Sequence, residues 1–357
     1  MRFPIPLLLI TLLLGSASIG RCEESNNSFE YPSFLVLPAF FYTTDTGFGG
    51  GLAGLKSYRS STEHTSNVQF FSLFTQKKQF TSAIQWDHYF SGNNNRLKIG
   101  ITYRKFPTEF FGLGNNTTSD NYEKYTPEHT DALVTFEHRI VSHLKLDLLT
   151  FFSNQALVKS KQGGMIRSSA VPWNSGRYDV GSGIGILWDS RDNVLATRRG
   201  TLAKLEYRGI IFHEEGGAFN KLSLDVRRFY NPISDLVLAG MFWIENCRGD
   251  VPYYLFSSLG GESRLRGYEI DRFLGKSLVL IQNDIRFPIW RALGGSVFVA
   301  SGRVADTMGD LFSGTFHTAG GAGIRYFFNR EDNLVIRLDY AVGSDTSGVY
   351  LTFSEAY

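Results

Sequence analysis

Two arginines flanking one leucine stand in the stretch Gly260-Gly-Glu-Ser-Arg-Leu-Arg-Gly-Tyr268. The chemistry open to Arg264 and Arg266 is recognition, because a guanidinium is a planar fork of donors that grips carboxylates and cannot itself be deprotonated. Gly267 permits a tight turn at the tip, and Tyr268 adds a ring to stack against a wall. The segment that follows, 277–287, puts Leu278, Leu280, Gln282, Asp284 and Arg286 on one face and Val279, Ile281, Ile285 and Phe287 on the other. Asp284 is therefore the acid expected to meet Arg266 once the loop folds toward that face. Held away from bulk water, such a charge-assisted pair is stronger than one on an open surface.

Other chemistry is less well supported by spacing. The seven histidines, His64, His88, His129, His138, His143, His213 and His317, include no pair at metal-binding helical spacing. His138 and His143 flank a tight turn, and His88 follows Asp87, so a His/Asp or Ser/His hydrolase is the enzymatic alternative. Chance proximity explains these neighbours better, among so many Ser and Asp residues. No catalytic residue, metal ligand or cofactor is assigned. Gly181-x-Gly-x-Gly185 and Gly47-x-Gly-Gly-Gly51 resemble phosphate loops in composition, yet neither sits between a strand and a helix. Glycine in a barrel strand instead lets a neighbouring side chain approach closely. Cys22 and Cys247 make neither a disulfide framework nor a metal set.

These residues lie among segments of strict alternation. In 96–104, Leu97, Ile99, Ile101 and Tyr103 oppose Arg96, Lys98, Thr102 and Arg104; in 334–340, Leu334, Ile336, Leu338 and Tyr340 oppose Arg337 and Asp339. A soluble sheet with one wet face would alternate too. Here the polar face repeatedly carries full charges, and the apolar face carries aliphatics with aromatics near the strand ends. That is the lipid-out, water-in pattern of a transmembrane β-barrel, the closed form that pairs every backbone group in a bilayer. The chain has 357 residues, a net charge of +2, 15% aromatics and 37 glycines. Its mean hydropathy of -0.12 is the average of an apolar outside and a polar inside. The near-neutral charge gives no footprint for nucleic acid.

Sixteen strands are expected, centred near residues 38, 52, 70, 84, 100, 135, 149, 184, 205, 224, 241, 281, 298, 323, 337 and 352. With a periplasmic N-terminus, the long connections 107–128, 159–176, 248–276 and 303–318 all fall on the outer side. The connections between them are tight turns, apart from 191–200, as the asymmetry of this class requires. At the N-terminus, Met1-Arg2, an apolar run over residues 7–14 and small residues to Gly20 read as a signal peptide over 1–21. A single barrel domain is expected over 30–357. The roughly ten residues between the cleavage site and the first strand leave no room for another folded domain.

Taken in order, these features resemble the bacterial surface antigen family, the barrel of BamA/TamA-type outer-membrane assembly proteins. Gly260 to Tyr268 looks like the sixth outer loop with its Arg-Gly-aromatic tip, and Asp189-Ser-Arg-Asp-Asn193 with Arg199-Gly200 looks like the family's turn. Gly321-Ala-Gly-Ile-Arg325 and Arg337-Leu-Asp-Tyr-Ala341 resemble the closing strands. The end of the chain, with Tyr350, Phe353 and Tyr357, resembles the signal read by the barrel-assembly machinery during biogenesis. The resemblance implies a sixteen-stranded barrel with an inward-folded sixth loop, whose tip Arg266 meets wall acids. Asp284 matches one such position; at the second, Ala300 stands instead of an acid. Members that insert or secrete proteins carry periplasmic POTRA domains, for which this chain has no room. The function expected is therefore transport or assembly of a protein or lipid client in the outer membrane, without enzymatic activity. Its partners would be membrane lipid and lipopolysaccharide, with a separate periplasmic protein in place of the POTRA domains. A passive pore and an outer-membrane hydrolase are the alternatives.

Overall fold

In the computed structural model, residues 34–357 are described, apart from 61–64, 91–93, 195, 214–216, 330–333 and 354. The signal peptide over 1–21 and the first residues of the 30–357 span lie outside the described residues. Antiparallel strands form one closed sheet: β1 (Phe34–Thr43), β2 (Gly47–Arg59), β3 (Thr65–Thr75), β4 (Phe80–Tyr89), β5 (Asn95–Lys105), β6 (Glu123–Val141), β7 (Leu144–Lys159) and β8 (Gly176–Asp189). The second half continues with β9 (Gly200–His213), β10 (Phe219–Ile233), β11 (Leu236–Gly249), β12 (Ser277–Trp290), β13 (Leu293–Ala305), β14 (His317–Asn329), β15 (Leu334–Val342) and β16 (Ser347–Phe353). Each expected centre falls inside one of these sixteen strands.

Alternation explains the closure. Along β12, Ile281 and Ile285 are exposed while Gln282, Asp284 and Arg286 are buried. Directly paired residues share a face, so the inward side can be followed through the register from Asp284 to Phe298, Gly321, Ala341 and Gly348. It continues from Tyr350 to Thr43 across the seam. The exposed face carries Phe70, Ile84, Val134, Leu205, Val297 and Leu338, with Trp188 and Trp290 near the strand ends. This is a lipid-facing band with aromatic edges.

The long connections gather at the outer mouth. Thr108–Phe110 pairs with Glu123–Tyr125, and Ser257–Leu259 pairs with Phe273–Gly275. Phe110, Ile166, Val171, Tyr253, Tyr254 and Leu274 pack into one apolar cluster drawn from three of the loops. Gly114 bridges to Leu274, and Asn115 donates to the Thr315 carbonyl at 3.0 Å while accepting from the Val304 N–H at 3.1 Å. At the inner mouth, connections such as 142–143 and 234–235 are tight. The exception over 190–199 is held by Arg191 on Asp189 at 2.8 Å and by backbone N–H groups of Arg198 and Arg199 on Asp192. It buries Ala196 and Thr197 beneath the lumen.

Candidate functional site

The sixth outer connection, 250–276, carries its tip to the inner wall. Gly260, Gly261 and Gly267 have φ of 112°, 88° and 104°, in the left-handed region open to glycine, and Leu265 joins them at 71°. A side chain at Gly267 would press on the backbone of Gly343, 2.9 Å away. The turn is closed by Gly260 N–H on the Arg264 carbonyl at 2.7 Å and Gly261 N–H on that of Tyr268 at 2.8 Å. Gln282, inward on β12, pins it: its Oε1 accepts the Leu265 N–H at 3.2 Å, and its Nε2 donates to the Ser263 carbonyl at 2.9 Å.

Arg266 then has a defined environment. It is 2% exposed, with Nη2 on Asp284 Oδ1 at 2.8 Å and Nη1 on Asp339 Oδ2 at 2.7 Å. Its guanidinium lies 3.5 Å over the Phe298 ring. Gly267 N–H donates to the Tyr350 hydroxyl at 3.0 Å. The Tyr268 hydroxyl bonds the Thr318 carbonyl at 3.1 Å and Ser344 Oγ at 3.0 Å, and its ring meets Phe273 and His317 edge-on. Arg264 does not share the Arg266 site: it lies 3.9 Å over Trp243, beside Glu245 at 3.5 Å.

The second wall acid, vacant at Ala300, is supplied by Asp339 on β15. Ala300 belongs to the apolar cluster around Leu265 and Tyr268. Asp339 reaches the tip because its direct partners are Gly323 and Tyr350, and a side chain at Gly323 would overlap its carboxylate. Asp339 also pairs with Arg325 and with Arg337, the latter at 3.4 Å, and Arg337 pairs with Glu262 of the loop. Glu355, beyond β16, meets Arg325 at 3.1 Å and Arg286 at 3.5 Å. Four guanidiniums and four carboxylates thus neutralise one another where desolvated charges must be paired. Glu262, Arg325 and Glu355 were not expected as partners. The inward parity of Arg325, two residues from Gly323, was the signal that could have found it.

Of the C-terminal aromatics, Tyr350 and Tyr357 turn to the lumen. Tyr357 packs on Phe229, Ala239 and Met241, and its hydroxyl donates to Asp284 at 3.0 Å. The Phe353 side chain lies outside the described residues. The histidines remain dispersed. His88 is on the outer face, bonded to Tyr58 at 3.1 Å, and His138 is on the same face, bonded to Asn95 at 2.7 Å. His64 and the His213 side chain lie outside the described residues.

The seam between β1 and β16 is thin. Among the described residues, strand pairing there is confined to Tyr42 with Leu351 and Thr43 with Tyr350, against ten pairs between β1 and β2. Thr44 adds a bond to the Val349 carbonyl at 3.1 Å.

Several comparisons bear on this arrangement. The fold is similar to BamA from Haemophilus ducreyi lacking POTRA domains 1–3, with a TM-score of 0.65 and 12% identity, over 90% of this chain and 70% of that one. It is similar to CdiB from Acinetobacter baumannii (TM-score 0.57, 11% identity, 90% of this chain, 59% of that one). CdiB from Escherichia coli matches with a TM-score of 0.58 and 11% identity, over 89% of this chain and 62% of that one. A search of curated proteins finds no sequence match. Residues 58–348 match the Omp85 superfamily domain. A sixteen-stranded barrel with that match over most of its length is an outer-membrane protein, and the chain belongs to the Omp85 superfamily.

Proposed function

We propose that this barrel assembles or transports a hydrophobic client, passing it sideways into the outer membrane, and that it is neither a passive pore nor a hydrolase. The observation that carries this reading is the contrast between the two exits. The outer mouth is capped by packed loops, whereas among the described residues the seam is held by two strand pairs and the bonds between Thr44 and Val349. Strand pairing is additive along an edge, so the seam, the shortest ladder among the described residues, opens before any other. On this reading the sixth loop, anchored by Arg266 and Tyr268, keeps the wall of β12 to β16 rigid while β1 moves. Membrane lipid and lipopolysaccharide surround the seam, and a periplasmic partner delivers the client. The aromatics at the chain end serve the protein's own insertion. A hydrolase would need its base beside a nucleophile, and the bonds of His88 and His138 run to Tyr58 and Asn95.

The test is a disulfide across the seam, Tyr42→Cys with Leu351→Cys in a Cys247→Ser background. Oxidation should abolish rescue of a deletion strain's envelope defect, and reductant should restore it. Full rescue by the locked protein would rule out the lateral route. Steady large conductance in planar bilayers would favour a pore.

A further inference from the structure

The lumen wall is not uniform. From β5 to β10 every strand turns at least two charged residues inward, and they pair around the wall. Arg96 meets Asp87 at 2.5 Å, Lys98 meets Glu137 at 2.7 Å and Lys221 meets Glu245 at 2.9 Å. On the inner faces of β1, β2 and β3 the only charged residue is Arg59, the last of β2, paired with Thr65 at the inner-mouth end. Following the register from Thr43, these faces present Leu35, Leu37, Ala39 and Phe41 on β1, Ala53 and Leu55 on β2, and Phe71 and Leu73 on β3, with the buried Gln69 bonded to Asn67 at the lower end of β3. Those of β2 and β3 pack into one cluster with Leu35, Ala39, Phe41 and Ala83. The sixth loop packs in a separate cluster against β12, β13 and β14. Leu37 remains 42% exposed on the inner side.

Strand β1 is therefore apolar on both faces, Phe34-Leu-Val-Leu-Pro-Ala-Phe-Phe-Tyr42. A barrel strand beside an aqueous lumen needs only one apolar face. Continuous apolar sequence belongs to strands covered by apolar matter on both sides. Lipid covers the outer side, where Phe34 and Phe40 are 59% and 68% exposed. Among the described residues, β1 has no strand partner below Tyr42 on its seam edge. The apolar outer and inner faces are thus continuous around that open edge, and the surrounding membrane is what they are continuous with.

We infer that the inner face of β1 to β3 is a binding groove for a lipid acyl chain, entered from the bilayer through the open lower half of the seam. This rests on the lateral-route reading above and names its client as a lipid. Hydrocarbon needs no hydrogen bonds, so it can lie along Leu35, Leu37 and Phe41 at no polar cost, gaining free energy with the apolar area it removes from water. The charged wall opposite offers it nothing. A protein strand entering the same gap would pair with the open edge and face the lumen only on alternate residues.

The test places a photo-crosslinking benzoylphenylalanine at Leu37, at Phe40 as lipid-facing reference, or at Thr135 on the charged wall. The full chain is reconstituted in phosphatidylethanolamine and phosphatidylglycerol vesicles, irradiated, and its phospholipid adducts counted by mass spectrometry. Adducts at Leu37 should approach those at Phe40 and exceed those at Thr135 about tenfold, the ratio that roughly two buried methylenes give. Labelling at Leu37 no greater than at Thr135, with Phe40 labelled, overturns the proposal, as does exclusive crosslinking of Leu37 to the protein's own chain. Should Leu37 not tolerate the probe, Ala39 in the same inner row carries it. Adding Leu55→Glu should cut labelling at Leu37 or Ala39 and leave Phe40 unchanged; equal labelling also overturns it. A seam lock that abolishes function while the inner face stays unlabelled leaves the lateral route standing with a protein client. An inner face that is labelled while the lock is harmless removes the route but keeps the lipid site.

Discussion

Arg266 faces two carboxylates at once, Asp284 and Asp339, over the Phe298 ring. Removing it strands buried charge, so Arg266→Ala should cost about 3–5 kcal/mol. The check is the temperature at which the barrel loses its compact, fast-migrating gel form. Because Asp284 is one of its partners, adding Asp284→Ala should be clearly less than additive; full additivity would mean the two do not interact. Asp45, at the first outer turn, behaves differently. It is half-buried and accepts the Ile270 N–H at 3.0 Å. Burial pushes its carboxyl from 3.8 up to about 7, against the opposing pull of that bond and of Lys77. A raised acid binds its proton more tightly when folded, so its contribution is fully present below about pH 4 and is lost as pH rises through about 7. The compact form should therefore melt lower at neutral than at acid pH, with Asp45→Asn flattening the slope. An unchanged slope in the variant would assign it to other groups.

At the scale of elements, the sixth loop depends on backbone geometry as much as on charge. Gly267 combines φ of 104° with a Cβ direction blocked by Gly343. Gly267→Ala should therefore cost about 1–2 kcal/mol from the left-handed backbone alone, with more from the clash. Faster cleavage of the loop by externally added protease, at unchanged barrel yield, is the expected readout. Protection equal to the native protein's would show that the loop can re-form without that turn. The strands themselves were legible from alternation, since Arg96 to Arg104 and Leu334 to Tyr340 each state which side is wet. The loop's path was legible only in part. Arg266 and Asp284 announce a pair, but Asp339 lies on a strand more than fifty residues further on. Only the closing of the sheet brings it beside the tip.

For the whole molecule, what matters is where the barrel is sealed. Phe110, Tyr253 and Leu274 close the outer mouth from separate stretches of chain. Large-to-small changes in such a cluster cost about 3–5 kcal/mol for an aromatic. Phe110→Ala with Tyr253→Ala should turn a silent barrel into one with frequent openings in planar bilayers. If conductance stays silent, the seal lies deeper, at the loop tip. The lumen divides into a charged arc, β5 to β10, and a mainly apolar one, β1 to β3, whose one charged residue, Arg59, stands at the end of β2; the apolar arc borders the thin seam.

By itself the sequence determined the strand count, the lipid-facing side of each strand and the side on which the long loops lie. Each of these follows from local period and turn chemistry, read within a few residues. It also held the double apolar face of β1, visible in Phe34 to Tyr42 as an unbroken run. Only the tertiary structure decided that Asp339 replaces the missing acid at Ala300, that Glu355 and Tyr357 turn into the lumen, and that β1 meets β16 over two pairs among the described residues. These are contacts between residues distant in the chain, set by barrel closure and by register, and no local pattern encodes the register at which the last strand returns to the first.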